Sequence, residues 1–245
     1  MKFVAEVLSR KGGRRKNEDW CDFALSDGAG CWAVADGLGG HRGGEVASRL
    51  AVEAVLDAFA RGPREAAPDT VRTLLRRAQD AVVARQEEDP ALASMRTTLT
   101  VLVADEETGQ AAWGHVGDSR LYFFRSGAVV EQTRDHSVPW ALAEAGDISP
   151  EDVRFHEDRD RLLRVLGKGE DFRPETVKRA RLVKPGDAFL LCVDGFWEYV
   201  TETEMEADLA KSETPGEWLR FMERRLLARA GEKHDNYTAA GVFAE

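Results

Sequence analysis

Cys31-Trp-Ala-Val-Ala-Asp36-Gly37 is an apolar run of strand length that ends on a carboxylate and a glycine. Three further stretches repeat the pattern: Trp113-Gly-His-Val-Gly-Asp118-Ser119-Arg120, Phe189-Leu-Leu-Cys-Val-Asp194-Gly195, and Asp235-Asn236-Tyr237 leading into Thr-Ala-Ala-Gly-Val-Phe243. A strand that buries its middle and delivers a charge at its tip is unfavourable unless something pairs with that charge. Four such tips point to one cluster of carboxylates gathered around bound cations. Asp-Gly on its own is a turn dipeptide. Asp36-Gly37 and Asp194-Gly195, however, end buried-looking strands and lead towards helical sequence, not a returning strand.

Outward from these runs, residues 3–9, 20–26 and 31–35 read as three consecutive strands with turns at Lys11-Gly-Gly13 and Asp27-Gly28. Apolar residues at helical spacing predict helices near 44–61 and 69–88, separated by Gly62-Pro63 and Pro68. Strands follow at Thr97–Ala104, Ala111–Val116 and Leu121–Arg125. The charged, irregular segment from Pro139 to about Gly169 is a surface excursion, because strand patterns resume at Val177–Leu182 and Ala188–Val193. Two helices, about 202–211 and 215–230, precede a last strand at 237–243. Strand runs enclosing helix pairs predict an antiparallel α+β layering rather than alternating βαβ units. One domain over 1–245 is expected, with no repeat and no internal boundary.

The chain of 245 residues has 43% hydrophobic and 32% charged residues, as a soluble globular protein does. Its apolar runs are too short to span a membrane, and no signal-peptide pattern opens it. Cys21, Cys31 and Cys192 cannot all pair, which favours reduced cysteines and a cytoplasmic location. A formal net charge of −10 argues against nucleic acid as a partner. It says nothing against phosphate, since bound divalent cations reverse the local sign. A monomer is expected.

Carboxylates suit hard cations such as Mg²⁺ or Mn²⁺, and a glycine after the acid frees a backbone carbonyl to approach the metal. The glycines of Asp36-Gly-Leu-Gly-Gly-His-Arg-Gly-Gly-Glu45 form neither a Walker loop nor G-x-G-x-x-G, where Arg42 interrupts. Within Gly13-Arg-Arg-Lys-Asn-Glu-Asp19, an arginine can hold a phosphate bidentately and Glu18 and Asp19 can add carboxylates. The alternative for residues 10–16 is a solvated basic turn. His115 reads as a structural residue, His136 as a turn cap, and His41 as a candidate general acid or substrate contact beside Asp36.

Together, Gly-Gly-Arg14-Arg-Lys-Asn-Glu18-Asp19, Val34-Ala-Asp36-Gly37-Leu-Gly-Gly-His41, Gly117-Asp118-Ser-Arg120, Asp135-His-Ser137, Cys-Val-Asp194-Gly195-Phe-Trp-Glu198 and Asp235-Asn236-Tyr-Thr238 resemble the metal-dependent serine/threonine phosphatases of the protein phosphatase 2C (PPM) family, bacterial type. The resemblance implies a four-layer α-β-β-α sandwich, two central antiparallel sheets flanked by helix pairs. It implies hydrolysis of phosphoserine and phosphothreonine on proteins by a metal-bridging water, opposing a Ser/Thr kinase. It also assigns roles. Asp36 and the Gly37 carbonyl would hold two Mn²⁺ or Mg²⁺ ions with Asp194 and Asp235, Asp118 would serve a third, Glu18 and Asp19 would act through water, and Arg14 would bind the phosphate. The 139–169 excursion would be the family's flap. Two departures stand out: Leu38 replaces the histidine that animal members place after Asp-Gly, and Arg96-Thr97-Thr98 replaces Gly-Thr-Thr. The rival readings are a catalytically weak phosphoprotein-binding regulatory module and a different two-metal hydrolase.

Overall fold

A computed structural model describes residues 1–38, 43–169 and 172–245. The strands are β1 (Phe3–Arg10), β2 (Asp19–Ser26), β3 (Ala29–Asp36), β4 (Leu99–Asp105), β5 (Gln110–Val116), β6 (Arg120–Arg125), β7 (Ala128–Gln132), β8 (Glu175–Thr176), β9 (Arg181–Leu182), β10 (Ala188–Cys192) and β11 (Tyr237–Ala244). The helices are α1 (Gly44–Arg61), α2 (Pro68–Glu88), α3 (Val138–Ala145), α4 (Asp194–Trp197), α5 (Glu202–Leu209) and α6 (Pro215–Arg229). One sheet has the order β1-β11-β10-β6-β7 and the other β2-β3-β4-β5-β8, with β9 also on β5. Every pairing is antiparallel.

The strands read as unbroken apolar runs because both faces are covered. On β3, Cys31, Ala33 and Ala35 pack beneath α1 and α2, while Trp32 and Val34 face the opposing sheet. On β10 the same alternation sends Phe189 and Leu191 between the sheets and Leu190 and Cys192 towards α5 and α6. A period of two with both faces buried gives three apolar layers and hence the four-layer α-β-β-α sandwich. Between the sheets Phe123 stacks on Phe189 at 4.8 Å, and Trp113 meets both rings.

The helix starts follow local rules. Pro68 opens α2 and Pro215 opens α6, where the Thr214 hydroxyl accepts from the Glu217 N–H at 3.2 Å. Thr201 and Glu204 form a capping box on α5.

Three expectations need correction. Val177–Leu182 is not one strand: residues 177–180 span the interval that Ala112 and Trp113 span on β5, so the ladder breaks into β8 and β9. The strand expected from Thr97 starts at Leu99, Thr97 instead bridging Gly37 and Leu166. β7 was unforeseen; it returns from β6 through a turn in which Ser126 and Gly127 both have positive φ, 54° and 80°. That pair of left-handed residues matches the twist of a two-residue hairpin. The excursion after Pro139 carries α3 and a 3₁₀ turn at Asp152–Phe155.

A candidate metal centre at the strand tips

The two sheets present their acid-tipped strands at one end of the sandwich, where a cleft of about 620 Å³ opens. Asp36 closes β3 opposite Asp19 of β2. Its backbone is fixed on both sides: the Asp36 N–H donates to Thr98 Oγ1 at 2.9 Å, and its carbonyl accepts from the Thr98 N–H at 2.9 Å and the Thr97 hydroxyl at 2.7 Å. Gly37 follows in a crowded corner, where a Cβ would lie 2.2 Å from the Gly44 carbonyl oxygen and 2.5 Å from that of Glu18. Only glycine fits there. The Gly37 N–H donates to the Glu18 carbonyl at 3.0 Å, which ties Glu18 and Asp36 to one frame.

Asp118 sits on the turn between β5 and β6, its carbonyl accepting from Trp197 Nε1 at 3.0 Å. Asp194 is the first residue of α4. A Cβ on Gly195 would lie 2.0 Å from the Asn236 carbonyl oxygen, so a glycine is needed to bring Asp194 beside the Asp235 segment. Asp235 Oδ2 accepts from Arg14 Nη2 at 2.5 Å. Asn236 is a buried clamp: its Oδ1 accepts from the Glu18 N–H, and its Nδ2 donates to the carbonyls of Lys11 and Lys16, each at 2.8 Å.

Of the expected site residues, Arg14, Glu18, Asp36, Gly37, Asp118, Asp194 and Asp235 line this one cleft. Asp19 lies behind Asp36, buried. His41 falls outside the described residues. His136 caps the turn between β5 and β6: its Nδ1 accepts from the Gly117 N–H at 3.1 Å, and its ring stacks on His115 at 4.4 Å. Arg96 turns its guanidinium to the carbonyls of Ala93 and Met95, at 3.4 and 2.7 Å. Two acids were not foreseen as members of the site. Asp160 from the excursion and Glu198, the C-cap of α4, place carboxylate oxygens within 4.8 Å of one another and of Asp194. Glu198 follows Asp194 by one helical turn, a spacing that could have been read; Asp160 arrives only through the tertiary fold.

The electrostatics are those of a crowded carboxylate cluster. Six carboxylates face three basic side chains, Arg14, Arg15 and Lys16, among the described lining residues. Burial pushes Asp19 up to about 7, and burial reinforced by Asp135 pushes Asp118 up to about 8. Asp36 and Asp194 are held well above the usual carboxylate range, first by burial and then by neighbouring acids. Both oxygens of Asp19 and Oδ1 of Asp118 are buried without a hydrogen-bond partner among the described residues. Crowded carboxylates with unsatisfied oxygens fit hard divalent cations. A larger concavity of about 1070 Å³ between β5, β8 and α3 lacks this chemistry: there Glu131 and Glu144 are already paired with Arg181 and Arg134. Chemistry, not size, selects the smaller cleft.

Comparison with known proteins agrees with this geometry. The family model described as protein phosphatase 2C matches residues 10–236. The serine/threonine protein phosphatase PstP of Mycobacterium tuberculosis is 34% identical over 92% of this chain and 41% of its own length. The serine/threonine phosphatase stp of Listeria monocytogenes is 34% identical over 96% of this chain and 93% of its own. The chain thus spans about two fifths of the mycobacterial relative's length. A crystal structure of the catalytic domain of PstP in complex with two manganese ions superposes with a TM-score of 0.81 at 30% identity, covering 98% of this chain and 97% of that one. Among the described residues no helix is long and apolar enough to cross a membrane.

Proposed function

The chain belongs to the protein phosphatase 2C family, and on that premise we propose that it is a metal-dependent phosphatase acting on phosphoserine and phosphothreonine in proteins. The observation that carries the reading is the cluster of carboxylates at the strand tips, with buried oxygens of Asp19 and Asp118 that have no hydrogen-bond partner among the described residues, opening onto a cleft rimmed by Arg14. Asp36, the Gly37 carbonyl, Asp194 and Asp235 would hold two ions, Mn²⁺ or Mg²⁺. Asp118 with Asp194 would serve a third, and Glu18 and Asp19 would contribute through water. Asp160 and Glu198 extend the acid set around Asp194. When bound, such ions make a water nucleophilic at neutral pH and take charge off the phosphoryl oxygens.

The chain's own residues supply the rest. Arg14 is anchored to Asp235 by one terminal nitrogen, which leaves the remaining guanidinium donors to orient a phosphate. The Thr97, Thr98 and Asn236 hydrogen bonds hold the acids without consuming their carboxylates. The described lining residues include no Ser, Thr, Cys or His, so attack on phosphorus falls to water unless a carboxylate is diverted from holding metal. Residues 1–245 act as one catalytic domain, with 139–169 as a flap whose Asp160 and Leu162 reach the cleft. His41 is a candidate proton donor to the leaving alkoxide, in competition with a water. Three unpaired cysteines, two of them buried, support a cytoplasmic setting; a Ser/Thr kinase would be the opposing activity.

The test is Mn²⁺-dependent release of phosphate from a phosphothreonine peptide, run beside a phosphodiester. Turnover of the peptide and not the diester, abolished by chelation, is expected. Diester cleavage would point to a different hydrolase, and phosphopeptide binding without turnover to a regulatory module.

A further inference from the structure

Five of the seven residues from Arg10 to Lys16 are basic, in a chain of formal net charge −10. The segment looks like a solvated turn in sequence, but the fold pins it at the rim of the cleft. Asn236 Nδ2 bonds the carbonyls at both ends, Lys11 and Lys16, and the Gly13 N–H donates to the His234 carbonyl at 3.0 Å. Three of the five cations are committed to acids: Arg10 to Glu223 at 3.4 Å, Arg14 to Asp235 at 2.5 Å and Lys16 to Glu45 at 2.8 Å. Arg15 is different. It lines the cleft, is exposed, and faces no acid at ion-pair distance among the described residues.

We propose that Arg15, held on this pinned loop, selects phosphoprotein substrates that carry an anionic side chain close to the phosphorylated serine or threonine. The inference rests on the phosphatase reading and names the substrate class of the same cleft. A guanidinium that is already positioned and carries no internal partner forms a new ion pair without breaking an old one. The preference falls on the flank of the phosphoresidue that meets Arg15. The recognised group is an anion, supplied by a glutamate or by a second phosphoserine.

The experiment compares kcat/KM, with Mn²⁺, on phosphothreonine peptides bearing glutamate, phosphoserine, alanine or lysine at each of the three positions on either side. Para-nitrophenyl phosphate, which lacks any flank, is the reference. The wild type should favour an anionic flank on one side by about two- to fivefold over alanine, the size of an exposed ion pair, and the preference should shrink with added salt. Arg15→Gln should level it and Arg15→Glu invert it towards lysine, both leaving para-nitrophenyl phosphate turnover intact. Glutamate and phosphoserine arms show which anion is read more strongly. A wild type without flank preference, a preference that survives Arg15→Gln, or equal loss on para-nitrophenyl phosphate would overturn the proposal. Failure of the wild type on every phosphomonoester would instead overturn the phosphatase reading itself.

Discussion

Asp118 and Arg120 are two residues apart, yet they belong to opposite kinds of buried charge. Arg120 is fully satisfied. Its Nε and Nη2 meet both oxygens of Asp135 at 2.8 and 2.7 Å, its Nη1 reaches the Tyr122 hydroxyl at 3.0 Å, and its plane lies 3.5 Å from the Trp197 ring centre. The chain of bonds continues from Tyr122 to Glu202 and from Glu202 to Arg154 of the excursion, at 2.8 Å on both oxygens. Among the described residues, one oxygen of Asp118 and both of Asp19 are buried with no hydrogen-bond partner. The protein knows how to neutralise a buried charge and does so beside the site. Leaving Asp118 and Asp19 unpaired is therefore informative: burial with compensation marks structure, and burial without it marks a place for something that is not protein.

Substitutions separate the two. Asp36→Asn or Asp194→Asn should lower Mn²⁺-dependent turnover by about 10²–10⁴-fold, the several kcal/mol that metal-held chemistry supplies. The same variants should leave metal-free stability unchanged or raised, since crowding of like charge is relieved; denaturant unfolding with a chelator present checks it. Asp135→Ala should do the reverse in kind. Stranding Arg120 costs about 3–5 kcal/mol, seen as a large drop in the unfolding midpoint with or without metal.

The pH dependence sharpens the contrast further. Asp19 and Asp118, at about 7 and about 8, hold protons in the folded state that the unfolded chain has already released. The folded state then binds more protons, so metal-free stability should fall as pH rises from about 4 to about 8 and level off above that. Glu204, lowered to about 2 chiefly by Arg229, loses its contribution only in acid and does not blur that window. Saturating Mn²⁺ should flatten or reverse the decline, read by thermal unfolding at each pH. The smallest effect is expected at the seam between the two regions. Trp197→Phe keeps a ring beneath Arg120 but removes the donor to the Asp118 carbonyl, and should cost about 1 kcal/mol with slightly weaker metal binding.

Much of this was legible beforehand, and the reason lies in period and tip chemistry. Runs such as Phe189–Val193 can be read as strands buried on both faces, and an acid at each tip is visible without coordinates. The glycines at 37 and 195 were legible as aids to close approach, and both prove to occupy space where no Cβ fits. Other features are products of assembly. Asp160 joins Asp194 across more than thirty residues of sequence, and nothing in Glu157-Asp-Arg-Asp-Arg161 distinguishes it from its neighbours. Arg14 was foreseen as a phosphate ligand, but its bond to Asp235 depends on the Asn236 clamp. The break between β8 and β9 comes from unequal spacing against β5, which strand propensity at 177–182 cannot register.

The most direct measurement is Mn²⁺ titration calorimetry of the metal-stripped protein near neutral pH, in two buffers of different ionisation enthalpy. Carboxyls held protonated by burial must give up protons when a cation enters, so binding with net proton release is predicted, and Asp36→Asn should weaken it sharply while Arg15→Gln leaves it alone. Absence of Mn²⁺ binding, or binding that Asp36→Asn and Asp194→Asn leave untouched, would contradict the assignment of the strand-tip acids as the metal centre.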